Sequence, residues 1–261
     1  MLTESQNYHS DQDSVSFRSL ILMMALYVSL IAWMIVGLIV LILPRSFVTE
    51  LARAWSRFFL WLCRVIGGLR VEFRGLENIP EGPLLIAAKH QSLWETFALL
   101  SLFKDPCFIL KRELAFIPVF GWFIAKMRNV AIDRKSGSRA LLKIVKAAHR
   151  EIRADGGRQI LIFPEGTRRP PGAPPAYRFG IAQIYSGLDV PCLPIALNAG
   201  FYWPRRSLKL RQGTIIVDIL PAIEPGMERQ QFFALMQEKI EEASDRLLAE
   251  ARHDYSHSTR A

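Results

Sequence analysis

Leu20 to Leu43 is a run of 24 residues without a single charge. As a helix it extends about 36 Å, longer than the ~30 Å hydrocarbon core of a bilayer. A buried helix of a soluble core is the competing reading, and the length argues against it. The run is also too long for the apolar part of a signal peptide, and Pro44-Arg45-Ser46 behind it is no small-residue cleavage site. We read it as a membrane anchor. Arg18 alone precedes it, whereas Arg45, Arg53, Arg57 and Arg64 follow closely. Basic residues gather on the cytoplasmic side of a span, so the bulk of the chain is expected there.

The anchor divides the 261 residues. Residues 1–18 are polar and mixed in charge, and are expected to form a disordered tail. Residues 19–69 are expected to hold the anchor and a second helix. That second stretch, Phe47 to Leu69, is apolar but interrupted by Glu50 and three arginines, with Trp55, Phe58, Phe59 and Trp61 among them. It reads as an interfacial amphipathic helix. Packing against the domain, or a two-helix hairpin dipping into one leaflet, stays open. Residues 70–261 are long enough for one domain with a good core.

In that domain short apolar runs alternate with amphipathic ones. Strands are expected at Val71–Arg74, Leu84–Ala88, Cys107–Leu110, Asn129–Ile132, Gln159–Phe163, Cys192–Leu197 and Thr214–Ile219. Helical spacing marks Ser138–Ile152 and Gln230–Ala251. The alternation implies an α/β domain with a mainly parallel sheet flanked by helices. Pro191 and Pro194 bracket Cys192-Leu193. Proline is poorly tolerated in central strands, so this segment is expected to start a strand or lie at an edge.

Lys and Arg number 33 against 24 Asp and Glu, a net charge of +9. A basic surface suits nucleic acid, acidic lipid or phosphorylated substrates. No groove-reading motif accompanies the charge and the basic residues are dispersed, which argues against a nucleic-acid partner. Cys63, Cys107 and Cys192 form no paired motif and read as reduced structural thiols. The five histidines have no zinc-ligand spacing, so no protein-bound metal is expected.

Two segments carry chemistry. The strand Leu84–Ala88 ends at Lys89-His90, and Ser92-x-x-Glu95 then has the capping-box pattern of a helix start. His90 is therefore expected at a strand-to-helix turn, where α/β folds gather ligands. Glu95, one turn into the helix, can reach a ring nitrogen of His90 and fix its tautomer. The other nitrogen is then free to act as a general base. Taken alone, the segment is explained better by a plain helix cap beside a surface histidine. The second segment is Phe163-Pro164-Glu165-Gly166-Thr167-Arg168. Here a strand stops at a proline, Gly166 permits unusual dihedrals, and Thr167 and Arg168 present donors suited to a phosphate. Lys111 and Arg134 add basic groups at the ends of two further strands.

In this order the segments resemble the glycerolipid acyltransferase family, and most closely its bacterial lysophosphatidate-acylating branch. The family's blocks are His-x4-Asp, a Lys block with a later Arg, Phe-Pro-Glu-Gly-Thr-Arg and Val-Pro-x-x-Pro. They match His90 to Glu95, Lys111 to Arg134, Phe163 to Arg168 and Val190 to Pro194. Glu95 stands where the family usually has aspartate; it is one methylene longer and still an acceptor. The resemblance implies acyl transfer to the sn-2 hydroxyl of lysophosphatidate, giving phosphatidate for phospholipid biosynthesis. His90 would be the base and Glu95 its orienting partner. Lys111, Arg134 and Arg168 would hold the phosphate beside Thr167, with Glu165 and Gly166 shaping the substrate-binding loop. It further implies no cofactor, acyl-CoA or acyl carrier protein as co-substrate, and a place on the cytoplasmic face of a bacterial inner membrane. Another lysolipid acceptor, such as lyso-ornithine lipid, is the alternative within the enzyme class. A non-catalytic membrane lipid-binding protein is the alternative outside it.

Overall fold

A computed structural model describes residues 17–133, 137–154 and 157–258. The expected tail therefore lies almost wholly outside the described residues. The uncharged run forms α1 (Phe17–Val40), and α2 (Arg45–Val65) follows after Pro44. Among the described residues α1 is the one helix long and apolar enough to cross a membrane. It buries only Ser19, Leu22, Leu26 and Gly37.

A seven-stranded sheet follows: β1 (Leu69–Arg74), β2 (Leu84–Ala88), β3 (Pro106–Lys111), β4 (Val130–Ile132), β5 (Gln159–Ile162), β6 (Cys192–Leu197) and β7 (Gly213–Ile219). Its order is β1-β7-β6-β2-β5-β3-β4, and only the β6–β7 pair is antiparallel. The helices are α3 (Trp94–Leu102), α4 (Phe120–Lys126), α5 (Gly137–Ile152), α6 (Gly180–Leu188), the short α7 (Ala199–Tyr202) and α8 (Arg229–Ser258). Each expected strand is present, as is the helix-flanked, mainly parallel architecture. β2 and β6 are buried along their whole length, as expected of parallel strands covered on both faces.

The Val190–Pro194 segment does start a strand, one of the two placements expected, but that strand, β6, is not at an edge. It is an interior strand, between β7 and β2, and Pro194 lies within it. The sheet tolerates this because the β6–β7 ladder spans only Ile195–Leu197. Pro194 still accepts the Leu220 N–H through its carbonyl, at 3.0 Å, and its missing donor falls just beyond the ladder.

The apolar face of α2 is turned toward the domain. Trp55 and Phe59 meet Phe97 of α3 at ring distances of 4.7 and 5.1 Å, and Ser56 hydrogen-bonds the Phe97 carbonyl. These residues share one core with Trp94, Leu99, Leu197 and Val217. The amphipathic pattern of α2 is thus satisfied by packing, while Phe47, Trp61 and Val65 remain exposed. α1 lies against α2, with Arg18 donating to the Ile66 carbonyl just past the end of α2. At the opposite end of the pair, Arg45 grips Asp105 through two bonds of 2.6 and 2.7 Å.

Asp105 leads into a buried ionic core that sequence reading did not anticipate. The Arg158 guanidinium is fully buried, 2.9 Å from Glu151 and 3.2 Å from Asp105, and donates to the Pro106 and Met127 carbonyls. Burial alone would raise the Asp105 carboxyl. The Arg45 and Arg158 guanidinia outweigh it and hold the group below the usual aspartate range. Glu151 is likewise lowered, burial being overcome by Arg158, Arg150 and Arg128. The three cysteines are buried and unpaired, and burial pushes the Cys107 thiol up to about 11.

Candidate active site

His90 leaves the end of β2 on the five residues that join it to α3. Its Nδ1 lies 2.8 Å from Glu95 Oε1. The same oxygen accepts the Gln91 and Ser92 N–H groups at 2.8 and 2.7 Å. That oxygen already faces two backbone donors and so acts as an acceptor; Nδ1 therefore carries the proton and Nε2 is left as the acceptor. Glu95 is completely buried. The capping box forms only in part: Glu95 takes the Ser92 N–H, but Ser92 Oγ accepts from Trp94 N at 3.3 Å rather than from Glu95. Glu95 thus combines the reach of a cap with the orientation of the ring.

Three further contacts hold His90. Its ring stacks on Phe163, with centroids 4.1 Å apart and 18° between planes. Its N–H donates to Glu165 Oε1 at 3.2 Å, and its carbonyl accepts the Arg169 N–H at 2.8 Å. The two sequence segments thus meet across adjacent strands, because β2 pairs directly with β5. Gly166 has φ +68°, and a Cβ there would come within 2.8 Å of Arg178 Nε. The turn after β5 therefore favours glycine for its dihedral, and a side chain there would also displace Arg178.

A cavity of about 480 Å³ adjoins His90. Gly166, Thr167, Arg168 and Lys111 share its wall with Arg205 and Arg206, and the remainder of the lining is largely apolar. Trp33 of α1, Trp55 of α2 and Phe123 of α4 belong to that apolar part, so α1 and α2 close one side. Gly37 of α1 carries this closure: a Cβ there would sit 2.4 Å from the Phe123 ring. Burial lowers the Arg168 pKa below the arginine norm; Glu95 opposes this, and the nearby Arg205 and Arg206 charges add to it. An anion placed among these three guanidinia relieves that strain.

The structure brings most of the expected site residues together, with two exceptions. Glu165 does not line the cavity; it is buried behind His90 and bonds to its backbone. Arg134 lies outside the described residues. Sequence reading missed Arg205 and Arg206, for which the adjacent basic pair after Trp203-Pro204 was the available signal. It also missed Lys89 and Glu241, which surround Glu165.

Residues 70–198 match the family described as Acyltransferase. A 1-acyl-sn-glycerol-3-phosphate acyltransferase of Pseudomonas aeruginosa is 42% identical over 196 residues, covering 75% of this chain and 76% of the relative. The chain belongs to the 1-acyl-sn-glycerol-3-phosphate acyltransferase family. A lyso-ornithine lipid O-acyltransferase of the same organism is 35% identical over 127 residues, 48% of this chain and 46% of that relative. The crystal structure of the 1-acyl-sn-glycerophosphate acyltransferase PlsC from Thermotoga maritima superposes with a TM-score of 0.76 at 22% identity. That match covers 90% of this chain and 98% of the other, and shows that the α/β fold is shared. His90, bonded to Glu95, stands at the mouth of a cavity that is cationic near it and largely apolar beyond.

Proposed function

We propose that the chain transfers a fatty acyl group from acyl-CoA or acyl carrier protein to the sn-2 hydroxyl of lysophosphatidate, giving phosphatidate. The observation that carries this reading is the His90–Glu95 pair at a cavity that is cationic at Lys111, Arg168, Arg205 and Arg206 and apolar beyond them. His90 Nε2 takes the proton as the hydroxyl oxygen attacks the thioester carbonyl. The tetrahedral intermediate then collapses, the C–S bond breaks, and the proton returns to the leaving thiolate. Glu95 stabilises the imidazolium that exists between these steps. No covalent enzyme intermediate is required, because the acceptor hydroxyl is itself the nucleophile, and no cofactor takes part.

Three guanidinia about one cavity favour a phosphorylated acceptor, since arginine binds phosphate through paired donors. The anchor suits substrates that reside in a bilayer. α1 lies along α2, whose inner face is domain core, which favours a helical pair embedded beside the domain in one leaflet. The basic excess of the chain favours a leaflet rich in anionic lipid, as at the cytoplasmic face of a bacterial inner membrane.

The test is a panel of acceptors with the purified protein in mixed micelles, supplied with either donor. Lysophosphatidate should be acylated and His90→Ala should be inactive while still folded and membrane-bound. Faster acylation of lyso-ornithine lipid would replace the acceptor named here. Substantial turnover by His90→Ala would remove the base assignment.

A further inference from the structure

Lys89 is an ammonium buried at the end of β2, immediately before the base. Its side chain is only 5% exposed. Nζ lies 3.5 Å from Glu165 Oε1, is hydrogen-bonded to Glu241 on α8, and stands 5.3 Å from the centre of the Tyr177 ring. Glu165 Oε1 is the same oxygen that receives the His90 N–H. Glu165 Oε2 is buried without a hydrogen-bond partner. Removing such charges from water costs several kcal/mol per ion unless they are matched. The fold places that cost directly behind His90, and brings Glu241 to it from a helix outside the 70–198 family match.

Burial raises the Glu165 carboxyl above its usual range, and Glu241 adds to the rise. Lys89 and the His90 amide oppose it, Lys89 more strongly than Glu241 acts. Tyr177 and Arg178, from the loop before α6, complete the surroundings; the Arg178 chain packs against Gly166, and the Tyr177 hydroxyl is pushed well up by burial and by Glu241. Lys89 is therefore the nearby cation that favours the ionised form of Glu165 against its burial. An ionised carboxylate is about twice as strong an acceptor for the His90 amide as a neutral one.

We propose that Lys89 and Glu241 are positioning residues for acyl transfer: Glu241 fixes Lys89, Lys89 holds Glu165, and Glu165 holds the His90 amide that presents the ring to the cavity. The inference rests on His90 being the base. It makes α8 part of the machinery of the site.

The experiment measures kcat, acceptor KM and Tm against pH for Lys89→Met, Lys89→Arg and the double variant Lys89→Met/Glu241→Met. Lys89→Met should lower kcat about tenfold with KM almost unchanged, as a charge-assisted bond becomes an ordinary one. The acid limb of its kcat profile should move up by about one pH unit or more, the scale on which a lost neighbouring charge acts. Lys89→Arg should keep kcat and the limb close to wild type. The double variant should regain part of the lost Tm, because exchanging a buried ion pair for apolar side chains is often neutral while Glu165 stays uncompensated. Its kcat should stay low and its acid limb high, since Glu165 still lacks its cation. Recovery of kcat and the limb together with Tm would reduce Lys89 to a fold strut and overturn the proposal, as would a Lys89→Met limb that does not move. If Lys89→Met fails to fold, the double variant makes the same decision. His90→Ala assayed alongside separates the two claims: turnover there sinks the base assignment, whatever Lys89 does.

Discussion

Glu95→Gln changes one charge and almost no volume, so it isolates what the carboxylate contributes. In the resting enzyme Glu95 Oε1 accepts three donors, from His90, Gln91 and Ser92. A glutamine carbonyl oxygen can accept the same three, so the loop should keep its shape and Tm should fall only slightly. The difference arises when His90 becomes an imidazolium. With contact atoms 2.8 Å apart, the charge centres lie about 4 Å from each other. At an effective dielectric constant of ~20 that pair is worth about 4 kcal/mol. At 1.36 kcal/mol per factor of ten, kcat should fall about 10³-fold. KM for the lysolipid should change little, because the cationic part of the cavity is untouched. The assay is initial-rate acyl transfer in mixed micelles with both substrates varied, with Tm as the fold control. A Glu95→Gln enzyme within about threefold of wild-type kcat, or one whose loss appears wholly in KM, would refute the reasoning.

Arg168→Ala should raise KM for lysophosphatidate about tenfold or more while leaving Tm nearly unchanged, consistent with the loss of one charge-assisted phosphate contact; an unchanged KM counts against the phosphate role. Arg158→Met should lower unfolding free energy by about 3–5 kcal/mol, because it takes the cation from Glu151 Oε2 and the donor from the buried Pro106 and Met127 carbonyls, and denaturant titration measures this. Gly37→Ala forces Phe123 to move, so turnover of the longest acyl donors should fall more than that of short ones; a uniform change across a chain-length panel would show that the ring is displaced away from the cavity. Asp105 and Glu151 both have lowered folded values, so their stabilising share is complete above the unfolded carboxylate range and is lost as pH falls through the folded values. Tm should therefore drop steeply below about pH 4, and Arg45→Ala should flatten that drop.

What was legible in the chain depended on how local each signal was. β2 and β6 could be bounded from residues alone, because both are continuous apolar runs flanked by turn residues and buried on both faces. β4 begins at Val130 rather than Asn129, because the Asn129 side chain accepts the Phe108 N–H in a neighbouring strand. α8 runs on to Ser258, past the last apolar position that periodicity could detect at Ala251. His90 and Glu95 could be paired from spacing, since they lie within one turn. Lys89, Glu241 and the Arg45–Asp105–Arg158 chain could not, since 152, 60 and 53 residues separate the partners and only the sheet order brings them together. Pro191 and Pro194 marked the start of β6 but could not place it in the sheet, for a related reason: whether a proline is tolerated inside a sheet depends on where the neighbouring ladder stops, and that belongs to another strand.

The place of α1 bears on how this enzyme can be handled in the laboratory. Leu30, Trp33 and Met34 line the same cavity as His90. A chain trimmed to begin after Pro44 would not yield a domain with its pocket intact; it would yield one whose apolar cavity has lost a wall. A detergent harsh enough to peel α1 away would have the same effect, and loss of turnover during extraction would then report an opened cavity rather than unfolding of the sheet. The choice of amphiphile is thus part of the chemistry of the site.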